Sequence, residues 1–207
     1  MQSDGKIQAL NFAIRDSIPH MQASADENPF AEVLVRALAF ASGARWHVPQ
    51  PTPVAQFRWE DLRAEGETDM GYALAMVADE LRMPPMSERA LPPVLVLVSD
   101  GQPTDDYAAG LRSLMAQPWG KKAVRIAIAI GEDASRDELQ KFIGHSEVRP
   151  LEANSPEALV RFIKWVSTAV LQSVSSPASQ DKTQILSGAT VPIPQPPGQL
   201  TSAQDVW

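Results

Sequence analysis

The chain has 207 residues, 44% of them hydrophobic and 21% charged, with a formal net charge of −7 at neutral pH and no cysteine. That length suffices for one α/β domain with a sizeable core plus an appendage. The acidic balance argues against electrostatic attraction to nucleic acid or to an anionic membrane surface. The absence of cysteine excludes disulfides, zinc–thiolate sites and cysteine nucleophiles. No apolar run approaches the length that spans a bilayer, and the opening Met-Gln-Ser-Asp-Gly-Lys has no apolar core of a signal peptide. The expected location is the cytoplasm, with which a cysteine-free chain is compatible.

In chain order, Ile7, Leu10, Ile14 and Ile18 recur at helical spacing, and Pro19 is expected to end that helix. Residues 32–41 read as a strand and Ser42-Gly43 as a tight turn. Residues 44–48 read as a short returning strand at a sheet edge, because Pro49, Pro51 and Pro53 deny it ladder donors. A polar loop containing Thr68 and Asp69 leads into a helix with Met70, Leu74, Val77 and Leu81 on one face, broken by Pro84-Pro85. Residues 94–98 (Val-Leu-Val-Leu-Val) read as a strand buried on both faces, as in a parallel sheet. It stops on Ser99-Asp100-Gly101-Gln102-Pro103.

A helix carrying Tyr107, Leu111, Leu114 and Met115 follows, closed by Pro118-Trp119-Gly120, and residues 124–130 form another buried strand. Ser135 and Glu138 have the spacing of a capping box for a short helix with Leu139, Phe142 and Ile143. Residues 148–151 read as a last short strand. Ser155-Pro156 then opens a terminal helix through Leu159, Phe162, Ile163, Val166 and Val170 to about Val174. The alternation predicts an α/β fold, doubly wound, with a mostly parallel sheet and helices on both faces. Residues 1–174 are expected to fold, and 175–207, rich in Pro, Ser, Gln and Thr without periodicity, to form a disordered tail.

A carboxylate at the C-terminal end of a buried parallel strand, as at Asp100, lies where open α/β sheets place ligand sites. The alternative reading is that Asp100 holds the turn after the strand and that Thr68 caps the following helix. Asp105 and Asp106 suit helix starts, where the dipole favours them. His20, His47 and His145 stand in unlike contexts and form no metal set, and Trp59, Trp119 and Trp165 read as core or groove-covering residues. There is no nucleophile elbow, Walker-type glycine loop or dinucleotide fingerprint, so a non-enzymatic role is expected.

The loop Glu-Gly-Glu-Thr-Asp-Met-Gly around Thr68, together with Val98-Ser99-Asp100-Gly101, resembles the von Willebrand factor A (VWA) family. The resemblance implies a doubly wound fold with a metal-ion-dependent adhesion site, in which Thr68 and Asp100 match the threonine and the aspartate. It implies Mg²⁺, a hard cation with octahedral oxygen ligands, and a protein partner recruited through the metal-site face. Asp100→Ala would then relieve repulsion among oxygen ligands and leave the metal-free fold as stable or slightly more so. The run Lys6-Ile7-Gln8-Ala9-Leu10-Asn11 and the phrase Ala127-Ile128-Ala129-Ile130-Gly131 are most similar to bacterial TerY-type proteins, which are associated with tellurite resistance and stress, beside a kinase and a phosphatase.

The family's first strand and its Asp-x-Ser-x-Ser loop have no counterpart in the chain, and Met1 stands where the methionine after that loop would be. A start about one strand and loop upstream is therefore expected, and the site as present is incomplete. Without that central strand, the strands at 32–41 and 94–98 would each expose an edge. The alternative reading is a metal-assisted enzyme or a chelatase-like regulatory subunit using Asp100. In the tail, Thr183-Gln184-Ile185-Leu186 resembles a forkhead-associated (FHA) ligand, making Thr183 a candidate phosphorylation site.

Overall fold

In the computed structural model the described residues are 5–27, 31–175 and 193–198. The elements in chain order are α1 (Lys6–Asp26), β1 (Leu34–Ala41), β2 (Gly43–Pro53), α2 (Met70–Glu80), β3 (Val94–Ser99), α3 (Tyr107–Ala116) and α4 (Pro118–Lys122). They continue with β4 (Val124–Ile130), α5 (Arg136–Ile143), β5 (Leu151–Ala153), α6 (Pro156–Trp165) and α7 (Leu171–Ser175). A π-helical turn, Val166–Val170, joins α6 to α7.

β4 is the innermost strand. Ile126, Ile128 and Ile130 bury one face and Ala127 and Ala129 the other, all at 2% exposure or less. Each buried isoleucine stabilises the fold by about 1.5–3 kcal/mol relative to exposure. Pairing is parallel on both sides, with Val96 opposite Ile126 on β3 and Ala129 opposite Glu152 on β5. One helix layer, α1 and α6, covers the isoleucine face through Leu10, Leu159 and Phe162. The other, α2, α3 and α5, covers the alanine face through Leu74, Leu114 and Phe142. The doubly wound α/β fold is the one expected.

β1 and β2 form a separate antiparallel hairpin, turned at Gly43 (φ 85°), and do not pair with β3 among the described residues. The place between β1 and β3, where the doubly wound order puts its central strand, has no strand among those residues. Helices span the gap. Met21 of α1 packs with Val54 and Phe57 beside β1, while Leu10 packs on the β3–β5 side. Phe40 of β1 reaches the cluster under α2 and α3. Val96, in the middle of β3, is 39% exposed.

Several elements differ from expectation. α1 does not stop at Pro19 but runs on to Asp26. Proline inside a helix costs about 3 kcal/mol, and the turn beyond it is held by buried Met21 and by Gln22 Nε2 donating to the Val54 carbonyl at 3.1 Å. β2 continues through Pro49 and Pro51 to Pro53, since an edge strand with β1 on one side needs no outward donors. Pro118-Trp119-Gly120 opens the short helix α4. Ser135 stands at the N-cap of α5 without a side-chain cap bond, whereas Ser155 caps α6 by accepting from Ala158 N at 3.2 Å. The last strand begins at Leu151, where 148–151 was expected.

Two glycines set how closely α2 and α3 approach. A Cβ on Gly71 would lie 2.4 Å from the Asp106 carbonyl oxygen, and one on Gly110 would lie 2.1 Å from the Gly71 carbonyl oxygen. Backbone meets backbone, so neither side can yield. Gly110→Ala is expected to wedge the helices apart and cost about 1–3 kcal/mol, read as a lower urea midpoint with an unchanged m-value.

Candidate functional site

The site lies where β3 ends. Ser99 is 2% exposed, and its Oγ accepts from Gly101 N and donates to Gly101 O, both at 3.3 Å, bending the chain sharply after the strand. Ser135 N donates to the Gly101 carbonyl at 3.4 Å and ties this turn to the start of α5. Asp100 is thereby held at the C-terminal edge of the sheet.

The Thr68 loop is brought to the same place. A Cβ on Gly101 would lie 3.2 Å from Thr68 Oγ1, so the threonine hydroxyl sits directly against the turn that carries Asp100. Thr68 N donates to Thr104 Oγ1 at 3.0 Å, and the Thr68 carbonyl accepts from Thr104 N at 3.0 Å. Thr104 Oγ1 in turn donates to Asp69 Oδ1 at 3.1 Å, and Asp69 Oδ2 accepts from Gly43 N at 2.6 Å. One chain of hydrogen bonds thus joins the β1–β2 turn, the loop before α2 and the loop after β3.

Thr68 is not the cap of α2. The N-cap position is Asp69, which makes no side-chain cap bond. The cap comes from the neighbouring loop. Asp105 Oδ1 accepts from Gly71 N at 2.8 Å and Oδ2 from Tyr72 N at 2.7 Å, satisfying two orphan amides and placing negative charge at the helix N-terminus. Asp106 caps α3 through Ala109 N at 2.9 Å. Both carboxylates serve helix starts, but Asp105 serves a helix on the other side of the site.

The residue that sequence reasoning missed is Lys6. The first residue of α1 has only 6% of its side chain exposed, and its Nζ lies 3.9 Å from Asp100 Oδ2 and 4.0 Å from Asp133 Oδ2. Asp100 was expected to stand among repelling oxygen ligands. It stands beside an ammonium, so Asp100→Ala is expected to remove an attraction and to lower stability rather than spare it. Only the contact map across the fold could have revealed this pair.

A divalent metal does not fit the residues as they stand. Thr68 and Asp100 offer one hydroxyl and one carboxylate, which would leave most of magnesium's six positions to water. Among the described residues no three His, Cys, Asp or Glu side chains come together to hold a metal ion. His47 and His145 are occupied locally, by the Glu60 carbonyl at 2.9 Å and by Glu147 N at 3.2 Å. Thr183 lies outside the described residues. Of the expected tail, residues 193–198 are described, with Ile193 packed against the core around Leu10 and Phe162.

Beside the site a groove of about 650 Å³ runs between α3 and α5, lined in part by Gln102, Asp105, Tyr107, Arg112, Glu138 and Lys141. Tyr107 is 5% exposed, and its hydroxyl donates to the Glu138 carbonyl at 2.6 Å. Burial first, and the Glu138 charge second, push the Tyr107 phenol well above its ordinary value.

No protein-family model matches the chain, and no curated protein matches it significantly. Solved structures do. Proximal thread matrix protein 1 from the mussel byssus, with a zinc-occupied MIDAS motif, superposes with a TM-score of 0.59 at 16% identity over 79% of this chain and 42% of that one. A von Willebrand factor type A protein from Catenulispora acidiphila gives 0.56 at 18% identity, over 79% of this chain and 38% of that one. The ArnB paralog VWA2 from Sulfolobus acidocaldarius gives 0.56 at 18% identity, over 80% of this chain and 41% of that one. The chain thus has the von Willebrand factor A fold, and spans about two fifths of the length of the structures it matches.

Two outcomes follow from the site. Asp105→Ala is expected to cost about 1–2 kcal/mol by uncapping α2, with Asp105→Asn recovering part of the loss in the urea midpoint. For Tyr107, the unfolded chain loses the phenolic proton near pH 10 while the folded chain keeps it. Its contribution to stability is therefore full below about pH 10 and falls as pH rises above that value. Tyr107→Phe is expected to flatten the alkaline arm of a stability–pH curve measured by urea unfolding.

Proposed function

We propose that the chain is a non-catalytic protein-binding module that meets its partner at the face formed by Thr68, Asp100 and the loops around them. The observation that carries the reading is the convergence of the Thr68 hydroxyl on the Asp100–Gly101 turn at the C-terminal edge of a doubly wound sheet. That edge is where such folds recognise ligands, and the three loops there are already cross-braced by hydrogen bonds. Preorganised loops bind with less ordering cost. Magnesium belongs to this reading only where an Asp-x-Ser-x-Ser loop joins Thr68 and Asp100 as ligands.

The bacterial setting is part of the proposal. The runs at residues 6–11 and 127–131 are similar to TerY-type proteins, which supports a cytoplasmic role in tellurite or other chemical stress. A serine/threonine kinase, a phosphatase or a forkhead-associated protein would then be the partner, with Thr183 as a phosphate acceptor. No helix among the described residues is long and apolar enough to cross a membrane.

The test is affinity capture from bacterial lysate with the wild-type chain, Thr68→Val and Asp100→Ala, followed by titration of the captured protein once purified. A partner whose affinity falls at least tenfold (about 1.4 kcal/mol) in both variants supports the reading. A partner that binds all three chains equally, or turnover of a small molecule by the purified chain, overturns it.

A further inference from the structure

We infer that the resident cation of this site is the Lys6 ammonium, which occupies the place beside Asp100 that a divalent metal would need. The first observation is burial. Lys6 has 6% of its side chain exposed and Asp100 17%, and their charged atoms are 3.9 Å apart. An ammonium is taken out of water at a cost of several kcal/mol unless a counter-charge meets it. Asp133, 4.0 Å away but 87% exposed, is screened by solvent and contributes less than Asp100.

The second observation is independent of burial. Lys6 is the first residue of α1, where the helix dipole already presents positive charge. The N-cap is Gly5 in the left-handed conformation (φ 71°), no side-chain cap bond is made there among the described residues, and the first turn holds no acidic residue. A buried cation at that end is unfavourable from its own helix. The compensation comes from across the sheet edge, from Asp100. Lys6 and Asp100 therefore hold each other in place, and the start of α1 is pinned to the end of β3.

The chemical consequence concerns metal. A divalent ion taken up by Thr68 and Asp100 would lie within a few ångströms of the ammonium, and the two cations would repel in a partly desolvated site. With one hydroxyl and one carboxylate to hold it and water in the remaining positions, such an ion gains little to set against that repulsion. With the ammonium beside Asp100, the face offers a partner hydrogen-bonding loops and no open metal position for a carboxylate. This goes beyond the binding reading above, and its test does not depend on partner capture.

The experiment uses the full chain and reads two quantities. Mn²⁺ is titrated into the wild type and Asp100→Asn by calorimetry and by electron paramagnetic resonance up to millimolar concentration, with no saturable site expected in either. The melting temperature is then measured for Lys6→Met, Asp100→Asn and the double variant. Lys6→Met removes the ammonium beside a part-buried carboxylate, so the double variant is expected to recover roughly half or more of the Lys6→Met loss. If Lys6→Met does not fold, the same pairing requires Asp100→Asn to restore folding in that background. Saturable Mn²⁺ binding by the wild type that disappears in Asp100→Asn overturns the inference. So do strictly additive losses, or a double variant no better folded than Lys6→Met.

Discussion

A strand buried on both faces is the constraint on which the rest of this molecule depends. β4 has no polar face, with Ala127, Ile128, Ala129 and Ile130 all fully buried. It therefore needs one helix layer on each side, and parallel neighbours connected by crossovers. Those crossovers place the connections after β3, β4 and β5 along one edge of the sheet. Asp100 and Ser135 follow β3 and β4 there and meet through the Gly101 turn. Site geometry is in this sense a by-product of core packing.

The loops at that edge are not held by the core itself but by one another. Thr68, Asp69, Thr104 and Asp105 each accept from an amide of a neighbouring loop or helix in addition to the bonds within their own segments. Gly71 and Gly110 make this possible by letting α2 and α3 touch backbone to backbone. A change in any one loop is therefore felt in the others, and helix spacing is coupled to the shape of the face these loops form.

The two-part sheet distributes stability unevenly. The hairpin β1–β2 is joined to the β3–β5 sheet through side chains on α1 and α2, without ladder hydrogen bonds between the described strands. Asn11 strengthens that join. Its amide donates to the Leu62 carbonyl at 2.9 Å and accepts from Leu62 N at 3.0 Å and Trp59 Nε1 at 3.1 Å, doing for residues 59–62 what a strand would otherwise do. The ion pair of Arg15 with Asp61 lies nearby but exposed, and adds little.

Fold class was legible because its determinants are local. Unbroken aliphatic runs at 94–98 and 124–130, helical spacing between them and turn residues at their ends specify buried parallel strands without knowledge of partners. Thr68 and Asp100 were singled out together by the resemblance of their loops to the VWA pattern, and the structure brings those two loops side by side. Pro19 misled because a helix interrupted by proline survives when distant side chains hold its far half, and Val54 is not visible from Met21 in sequence. The cap of α2 and the counter-charge of Lys6 were equally hidden. Hydrogen bonds and ion pairs depend on where two loops come to lie in space, and only the tertiary structure decides that Asp105 reaches Gly71 and that Lys6 reaches Asp100.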